Sequence, residues 1–526
     1  MHPHRVRTRR RQPTAGAPVL TLVRPSFVAA VLAVAAIGVA LLQLFRADAG
    51  LAVERLRIGE TPATVFRLAG TPPAPVVLIA HGFAGSQQLM RPFAVTLARN
   101  GYVALTFDFL GHGRHPQPLG GSITEETGAT RYLVAQTEAV ADVARALPSG
   151  DGRLAILGHS MASDIIVRAA QAAPDIEATV AVSMFSPAVD AASPRNLLVV
   201  VGDWEPGLKR EALRVVSMVS DGDAAAGVTY GDHGDGTARR AAWAPNAEHV
   251  AVLYSETSMA ETVAWLDATF QHQGSGHLDV RGYWIALLLL GVVVLAWPLS
   301  KLLPEVAPAP TGPDLPRRTF LLLAAVPAVL TPVLLRFLPT DFLPILVGDY
   351  LAVHFGAYGV LTALGLWWIG RHRTPRFTAA SVPKLALAAG LATLYAVLAL
   401  GLPLDRFFTA YLPIPERWPL VAAMALGMLP FFLADEWLTR GTKGRFGRYA
   451  LTKLCFLLSL GLAVALDFER LFFLLIILPV IVPCFVVYGL LSEWAYRRTH
   501  HPAPGAIANA LAFAWAIAVT FPLLGG

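Results

Sequence analysis

The chain has 526 residues, of which 55% are apolar and 15% are charged, and its formal net charge is +6. An ordinary globular protein carries about 25% charged residues, so much of this chain must lie where it does not meet water. The composition excludes a disordered protein, a collagen-like protein and a purely cytosolic enzyme. Lysine and arginine lie at the ends of apolar runs and form no basic patch, which indicates membrane topology and no nucleic-acid partner.

A basic leader at residues 1–25 precedes an apolar run at 26–45. This run is long enough to cross about 30 Å of hydrocarbon as a helix, and we predict an uncleaved transmembrane anchor. The small-x-small sequence at 47–49 follows it, so a cleaved signal peptide is the alternative. Both interpretations place the residues that follow outside the cytoplasm.

Residues 50–275 form the soluble-looking part of the chain, in which short apolar runs alternate with amphipathic segments. This alternation predicts an α/β fold, a mostly parallel sheet covered by helices. The predicted strands are 76–80, 103–107, 154–157, 179–183 and 197–201, and the predicted helices are 87–100, 128–147 and 259–270.

The strongest motif in this region is GHSMA at 158–162, which ends a predicted strand and begins a helix. A serine on such a sharp turn, here Ser160, projects its hydroxyl from the sheet, and small neighbours allow the backbone to make the turn. The helix N-terminus behind it favours developing negative charge. Taken alone, a serine in this place is more often an N-cap. Ala162 stands where such turns usually have glycine.

Two further motifs follow earlier strands, HGFAGS at 81–86 and DFLGHG at 108–113. The first can aim backbone N–H groups at an oxyanion, with Phe83 and Met161 as the two donors. The second predicts a tight structural turn. His81 and His112 are predicted to pack in these turns and not to act as bases.

Together the three motifs resemble, in order and spacing, those of the α/β-hydrolase superfamily, and the resemblance covers residues 50–275. It implies a serine esterase or lipase-like enzyme that needs neither cofactor nor metal, with Ser160 as nucleophile. The acid matches Glu205 in GDWE at 202–205, with Asp203 as the alternative. The base matches His249.

His233, in GDHGDG at 231–236, is the alternative base, and we interpret this sequence as a loop and not as a metal site. Ser160, Glu205 and His249 occur in the chain order that the fold requires. His249 would take the serine proton, and Glu205 would orient the imidazole. The predicted reaction is cleavage of a lipid or other acyl ester through an acyl-serine intermediate.

Two other functions stay open: acyl transfer to an alcohol on the same scaffold, and a non-enzymic transporter or receptor with a hydrolase-like binding domain. Only 13 residues separate Ser183 from Leu197, which leaves no room for an inserted cap domain. We therefore expect an open mouth, or one covered by the loops at 114–127 and 206–245 or by the membrane itself.

The second half of the chain, 283–524, predicts a membrane domain of about eight helices. The predicted spans are 283–303, 319–338, 350–370, 385–402, 418–437, 451–466, 471–491 and 505–524. Cys455 and Cys484 lie inside these runs, so no disulfide is expected. Glu436 and Arg440 have the i,i+4 spacing of an ion pair at a helix end.

Positively charged residues mark the predicted cytoplasmic ends of the spans. In the loops they are Lys301, Arg317, Arg318, Arg371, Arg373, Arg376, Lys384, Arg440, Lys443, Arg445, Arg448, Lys453, Arg497 and Arg498. With the basic leader, they predict a multi-pass protein of a bacterial inner membrane whose α/β domain is periplasmic. The partners expected are an acyl ester or lipid substrate and the bilayer, and the sequence leaves the oligomeric state open.

Overall fold

The computed structural model describes residues 24–122, 128–220, 222–370, 380–441 and 446–525. Most of the predicted leader lies outside these ranges, as do the basic residues at 371–376 and residues 443 and 445. Residues 123–127 of one predicted covering loop also lie outside them.

In the described residues, nine strands form one sheet, five α-helices lie between or after these strands, and a sixth precedes them. The strands are β1 Leu51–Ile58, β2 Thr61–Leu68, β3 Ala74–Ala80, β4 Val103–Phe107, β5 Gly150–His159, β6 Ile176–Val182, β7 Leu197–Gly202, β8 Thr229–Tyr230 and β9 Arg239–Ala244. The helices are α1 Pro25–Asp48, α2 Arg91–Arg99, α3 Ala129–Arg145, α4 Met161–Ala172, α5 Pro206–Ser217 and α6 Glu256–Phe270. We call residues 51–270 the sheet domain.

The strand order is β1-β2-β4-β3-β5-β6-β7-β9-β8. From β4 to β9 in this order all strands are parallel, while β1, β2 and β8 pair antiparallel with their neighbours at the two edges. Helices α2 and α6 cover one face, and α3, α4 and α5 cover the other. The predicted mostly parallel sheet covered by helices is confirmed.

The strands at the two sides of the sheet, β1, β2, β8 and β9, are not among the predicted ones. Strand β1 is half exposed and carries charged residues, and β9 begins with two arginines, so neither shows the apolar run of a buried strand. Arg239 is nevertheless buried in β9, because its guanidinium donates hydrogen bonds to the carbonyls of Val215 (3.0 Å) and Ser193 (3.2 Å). Satisfied donors make this burial tolerable.

The remaining helices form, with α1, a helical bundle. They are α7 Arg281–Ser300, α8 Arg317–Leu335, α9 Gly348–Gly370, α10 Val382–Leu394, α11 Leu400–Phe407, α12 Trp418–Thr439, α13 Phe446–Leu466, α14 Phe468–Leu471, α15 Leu474–Thr499 and α16 Ala503–Thr520. Helices α10 and α11 are joined through a π-helical turn at Tyr395–Ala399.

Within the described ranges, nine helical segments are long and apolar enough to cross a membrane, which indicates a membrane protein. Each of the nine predicted spans overlaps one of them. Arg440 pairs with Glu436 at 2.7 Å near the end of α12, as the i,i+4 spacing predicts. Cys455 and Cys484 are both free.

The sheet domain contacts one end of the helical bundle. Arg91 of α2 pairs with Asp48 at the end of α1 (2.5 Å). The C-terminal segment after α16 pairs with the loop after β4, where Leu119 and Leu524 form an isolated parallel bridge. This contact places the turns that follow β3 and β4 directly against the bundle.

Candidate active site

Ser160 occupies the turn between β5 and α4, with φ 55° and ψ −118°. A positive φ is strained for any residue other than glycine, so the surrounding structure must hold it. The Ser160 N–H donates to the carbonyl of Val182 in the neighbouring strand β6 (2.9 Å), which fixes the turn. Ala162 is fully buried, so a methyl group fits where the motif usually has glycine.

His249 and Glu205 lie beside this serine. His249 Nε2 is 2.8 Å from Ser160 Oγ, and His249 Nδ1 is 2.5 Å from Glu205 Oε1. Glu205 precedes α5 after strand β7, and His249 lies in the loop after β9, so three segments far apart in sequence meet at the carboxyl edge of the sheet. The arrangement can pass a proton from the serine hydroxyl to the imidazole.

Glu205 is held by two further donors. The Ser183 hydroxyl donates to its Oε2 at 2.6 Å, and the Gly202 N–H donates to the same oxygen at 2.8 Å. Burial acts to raise the pKa of Glu205, but the hydrogen bonds from His249, Ser183 and Gly202 outweigh it, and the pKa is lowered. The carboxylate is therefore ionised near neutral pH, as an orienting acceptor for His249 must be.

No role is predicted for Ser183 from the sequence, in which it is only the last residue of a predicted strand. That position was the available signal, because the carboxyl ends of parallel strands meet at one edge of the sheet. What the sequence does not contain is the direction of the side chain. The backbone of Ser183 has φ 52°, which is also left-handed.

His159, the residue before the serine, positions His249. Its Nε2 donates to the His249 carbonyl oxygen at 2.8 Å. Burial, followed by the nearby His249, lowers the pKa of His159 to about 3, so the ring is neutral. His159 thus packs beside the turn and fixes the backbone of the loop that carries the base.

The turn after β3 lies against the serine. A Cβ at Gly82 would lie 2.9 Å from His159 Nδ1 and 3.1 Å from Ser160 Cβ, so only glycine allows the turn to approach this closely. Phe83 follows in this turn, and Met161 is the first residue of α4. In the described turns and loops, neither N–H donates to a backbone carbonyl. Met161 directly follows Ser160, and Phe83 directly follows Gly82, whose backbone lies against Ser160.

The two alternative residues point elsewhere. Asp203 is paired with Lys209 and is half exposed, so it does not reach His249. The Nδ1 of His233 lies 2.9 Å from Thr269 Oγ1, and its ring packs on Trp265, away from Ser160. In the described ranges, no group of three His, Cys, Asp or Glu residues could hold a metal ion.

His81 and His112 are fully buried in the turns after β3 and β4. The Phe109 N–H donates to His81 Nε2 (3.1 Å), and His81 Nδ1 donates to the Gly82 carbonyl (2.8 Å). The Nδ1 of His112 donates to the Leu110 carbonyl (2.9 Å), and burial lowers the pKa of His112 to about 3. Both histidines pack in these turns, as the sequence predicts.

Residues of the helical bundle flank the site. Phe83 packs on Phe473 with ring centroids 4.9 Å apart, and Tyr254, after His249, stacks on Phe408 at 6.1 Å. Of the two loops considered as covers, residues 206–245 instead contain α5, β8 and β9. The described part of the other loop contacts the bundle through Leu119.

Comparison with known proteins gives one family match. Residues 71–221 match the family described as "Serine aminopeptidase, S33". No curated protein matches the chain. Together with the strand order, the family match identifies the sheet domain as an α/β-hydrolase domain, and it supports hydrolase activity.

Solved structures similar to part of the chain include a predicted CIB-like hydrolase from Thermoplasma acidophilum. It is 14% identical, with a TM-score of 0.32, over 42% of this chain and 97% of that one. A dienelactone hydrolase from Anabaena variabilis is 16% identical, with a TM-score of 0.30, over 42% of this chain and 98% of that one.

Proposed function

We propose that the α/β-hydrolase domain of this chain is a serine hydrolase that cleaves an acyl ester through an acyl-serine intermediate. One observation carries the proposal, the hydrogen-bonded series from Ser160 Oγ to His249 Nε2 (2.8 Å) and from His249 Nδ1 to Glu205 Oε1 (2.5 Å). This is the geometry that general-base activation of a serine requires.

The reaction begins when His249 removes the hydroxyl proton as Ser160 Oγ attacks the ester carbonyl carbon. The imidazolium that forms is stabilised by the ionised Glu205. His249 then gives this proton to the leaving alcohol as the carbon–oxygen bond breaks, and the acyl group stays on Ser160. Water, deprotonated by His249, attacks the acyl-serine in turn, which releases the acid and restores the hydroxyl.

The oxyanion of each tetrahedral intermediate would accept hydrogen bonds from the N–H groups of Phe83 and Met161. Met161 begins α4, so the positive end of that helix dipole adds to the stabilisation. Preorganised donors of this kind contribute about 3 kcal/mol each to the transition state.

We also propose that the protein is a multi-pass protein of a bacterial inner membrane, with the hydrolase domain on the periplasmic side. Lys301 and Arg498 support this orientation, because they lie at the ends of α7 and α15 opposite to the ends that face the sheet domain. Positive residues at these ends favour a cytoplasmic location for them.

The test compares purified full-length protein with its Ser160→Ala variant, using Ser217→Ala as the matched control because Ser217 is an exposed serine at the end of α5. We expect the wild type and Ser217→Ala to hydrolyse p-nitrophenyl butyrate and to react with a fluorophosphonate probe. Ser160→Ala should do neither. Failure of the wild type to react with the probe would overturn the proposal. Hydrolysis of an aminoacyl p-nitroanilide but of no ester would show that the bond cleaved is an amide and not an ester.

A further inference from the structure

The carboxyl edge of the sheet, where Ser160 lies, is directed at the helical bundle. The turn after β3 is bound to the bundle through Ser86. The Oγ of Ser86 lies 3.0 Å from Thr409 Oγ1 and accepts from the Ala410 N–H at 2.9 Å. The turn after β4 is bound through the Gly111 carbonyl, which accepts from Arg417 at 2.8 Å. Parallel strands end at one edge, so the turns after β5, β6 and β7 face in the same direction.

The bundle residues in these contacts all lie at helix ends. Phe408 and Thr409 follow α11, Arg417 precedes α12, Phe473 precedes α15 and Phe521 follows α16. In a membrane protein, the ends of spanning helices lie at the level where hydrocarbon gives way to headgroups and water. The contacts therefore hold Ser160 close to the surface of the bilayer.

Two exposed aromatic residues follow strands β6 and β7 on the part of this edge that the bundle does not cover. Phe185, after β6, is 64% exposed, and Trp204, after β7, is 66% exposed. The Phe185 N–H donates to Ser163 Oγ at 3.3 Å, and Ser163 Oγ donates to the Ser160 carbonyl at 2.5 Å. Trp204 immediately precedes Glu205. Exposed aromatic residues this close to a reactive serine mark a contact surface.

We infer that this uncovered part of the carboxyl edge rests on the bilayer, with Phe185 and Trp204 in the interface, and that the substrate is an ester-bearing lipid of the same leaflet. The inference builds on the proposed serine hydrolase function. Tryptophan is enriched at membrane interfaces, where its ring is buried and its N–H stays hydrated. With only 13 residues between Ser183 and Leu197, no inserted cap separates the serine from the lipid.

The bundle supplies an apolar wall for the acyl chain beside the oxyanion turn. Phe83 packs on Phe473 at 4.9 Å and on Phe521 at 6.5 Å, and both partners belong to the bundle. A chain leaving the hydrocarbon along this wall would exchange one apolar surrounding for another, so little hydrophobic free energy is lost in reaching Ser160. The lipid ester is cleaved to a free fatty acid and the lyso lipid or alcohol, with water as the second reactant.

The experiment uses full-length protein reconstituted in phosphatidylcholine vesicles and measures two hydrolysis rates, that of p-nitrophenyl butyrate in solution and that of a fluorogenic diacyl lipid in the vesicles. The variant is the double substitution Phe185→Ser with Trp204→Ser. The control is Val228→Ser, an exposed apolar residue that directly precedes the edge strand β8, on the far side of β9 from β6 and β7. We expect the ratio of lipid to soluble ester hydrolysis to fall about tenfold in the double variant and to stay unchanged in the control.

A second measurement does not depend on activity. A bimane label on Phe185→Cys, in a background in which Cys455 and Cys484 are alanine, should be quenched by doxyl-labelled lipids more strongly than the same label on Val228→Cys. Equal quenching together with an unchanged hydrolysis ratio would overturn this inference and leave the serine hydrolase intact. If the wild type hydrolysed the soluble ester no faster than Ser160→Ala does, the proposed function itself would instead be overturned.

Discussion

The Arg114 Nη2 lies 2.7 Å and 2.6 Å from the two carboxylate oxygens of Asp405. Arg114 belongs to the loop after β4 and Asp405 to α11, so this ion pair joins the sheet domain to the helical bundle. The carboxylate also accepts from the N–H groups of Tyr411 (3.0 Å) and Leu412 (2.9 Å). Asp405 thus orders the segment after α11 as well as the contact between the two parts of the chain.

A double-mutant cycle on this pair should give a measurable coupling. We expect Arg114→Ala and Asp405→Ala each to lower the temperature of unfolding in detergent, with a coupling of about 0.5 to 1 kcal/mol because Arg114 is partly exposed. Asp405→Ala should cost more than Arg114→Ala, since it also removes the acceptor for two backbone N–H groups. The exposed pair Arg57 and Glu60 is the control, and an equal, near-zero coupling in both pairs would contradict the expectation.

Much of the site could be predicted because two of its three candidate residues follow strands that the sequence reveals. Ser160 and Glu205 follow apolar runs that are buried on both faces of the sheet, and such runs are recognisable without structural knowledge. His249 follows β9, which is not among the predicted strands. Its assignment rested on chain order and on the helix behind it.

The contacts between the sheet domain and the bundle could not be predicted. Arg417 and Gly111 are separated by 306 positions, and their hydrogen bond joins a side chain to a backbone carbonyl that any residue would offer. Arg417 is buried and also donates to the carbonyls of Ala518 and Phe521 (2.6 Å and 2.8 Å), yet in the sequence it reads as an ordinary charge at a span end. Long-range pairing of this kind leaves no periodic pattern in the sequence.

Glu205 and Asp203 can be distinguished by activity. Glu205→Gln keeps the size of the side chain but removes the charge that orients His249, so we expect kcat for the soluble ester to fall about a thousandfold or more. Asp203→Asn removes only the exposed pair with Lys209, and we expect less than about a twofold change. Steady-state kinetics on both variants decides the assignment, and a larger loss in Asp203→Asn would reverse it.

Gly82 tests how closely the oxyanion turn must approach the serine. In Gly82→Ala the new Cβ would lie 2.9 Å from His159 Nδ1 and 3.1 Å from Ser160 Cβ, so the turn must move away and take the Phe83 N–H with it. We expect kcat to fall about a hundredfold while the fold is kept, as for loss of one oxyanion donor. Gly207→Ala is the control, because its Cβ meets no atom within 4 Å. Wild-type kcat in Gly82→Ala would show that Phe83 is not a donor.

The buried His159 predicts how stability depends on pH. Its pKa is lowered from 6.5 to about 3 by burial and by His249, so between these values the unfolded chain binds a proton that the folded chain does not. Stability therefore falls as the pH drops below 6.5, by about 1.4 kcal/mol per pH unit for each such histidine. His159→Gln can still donate to the His249 carbonyl but cannot titrate. The slope of its free energy of unfolding against pH should therefore be smaller than that of the wild type by the contribution of about one proton. We would measure the free energy of unfolding of both full-length proteins in detergent at about pH 5 and about pH 7.5. Equal slopes against pH in the wild type and in His159→Gln would show that His159 is protonated in the folded state at the lower pH.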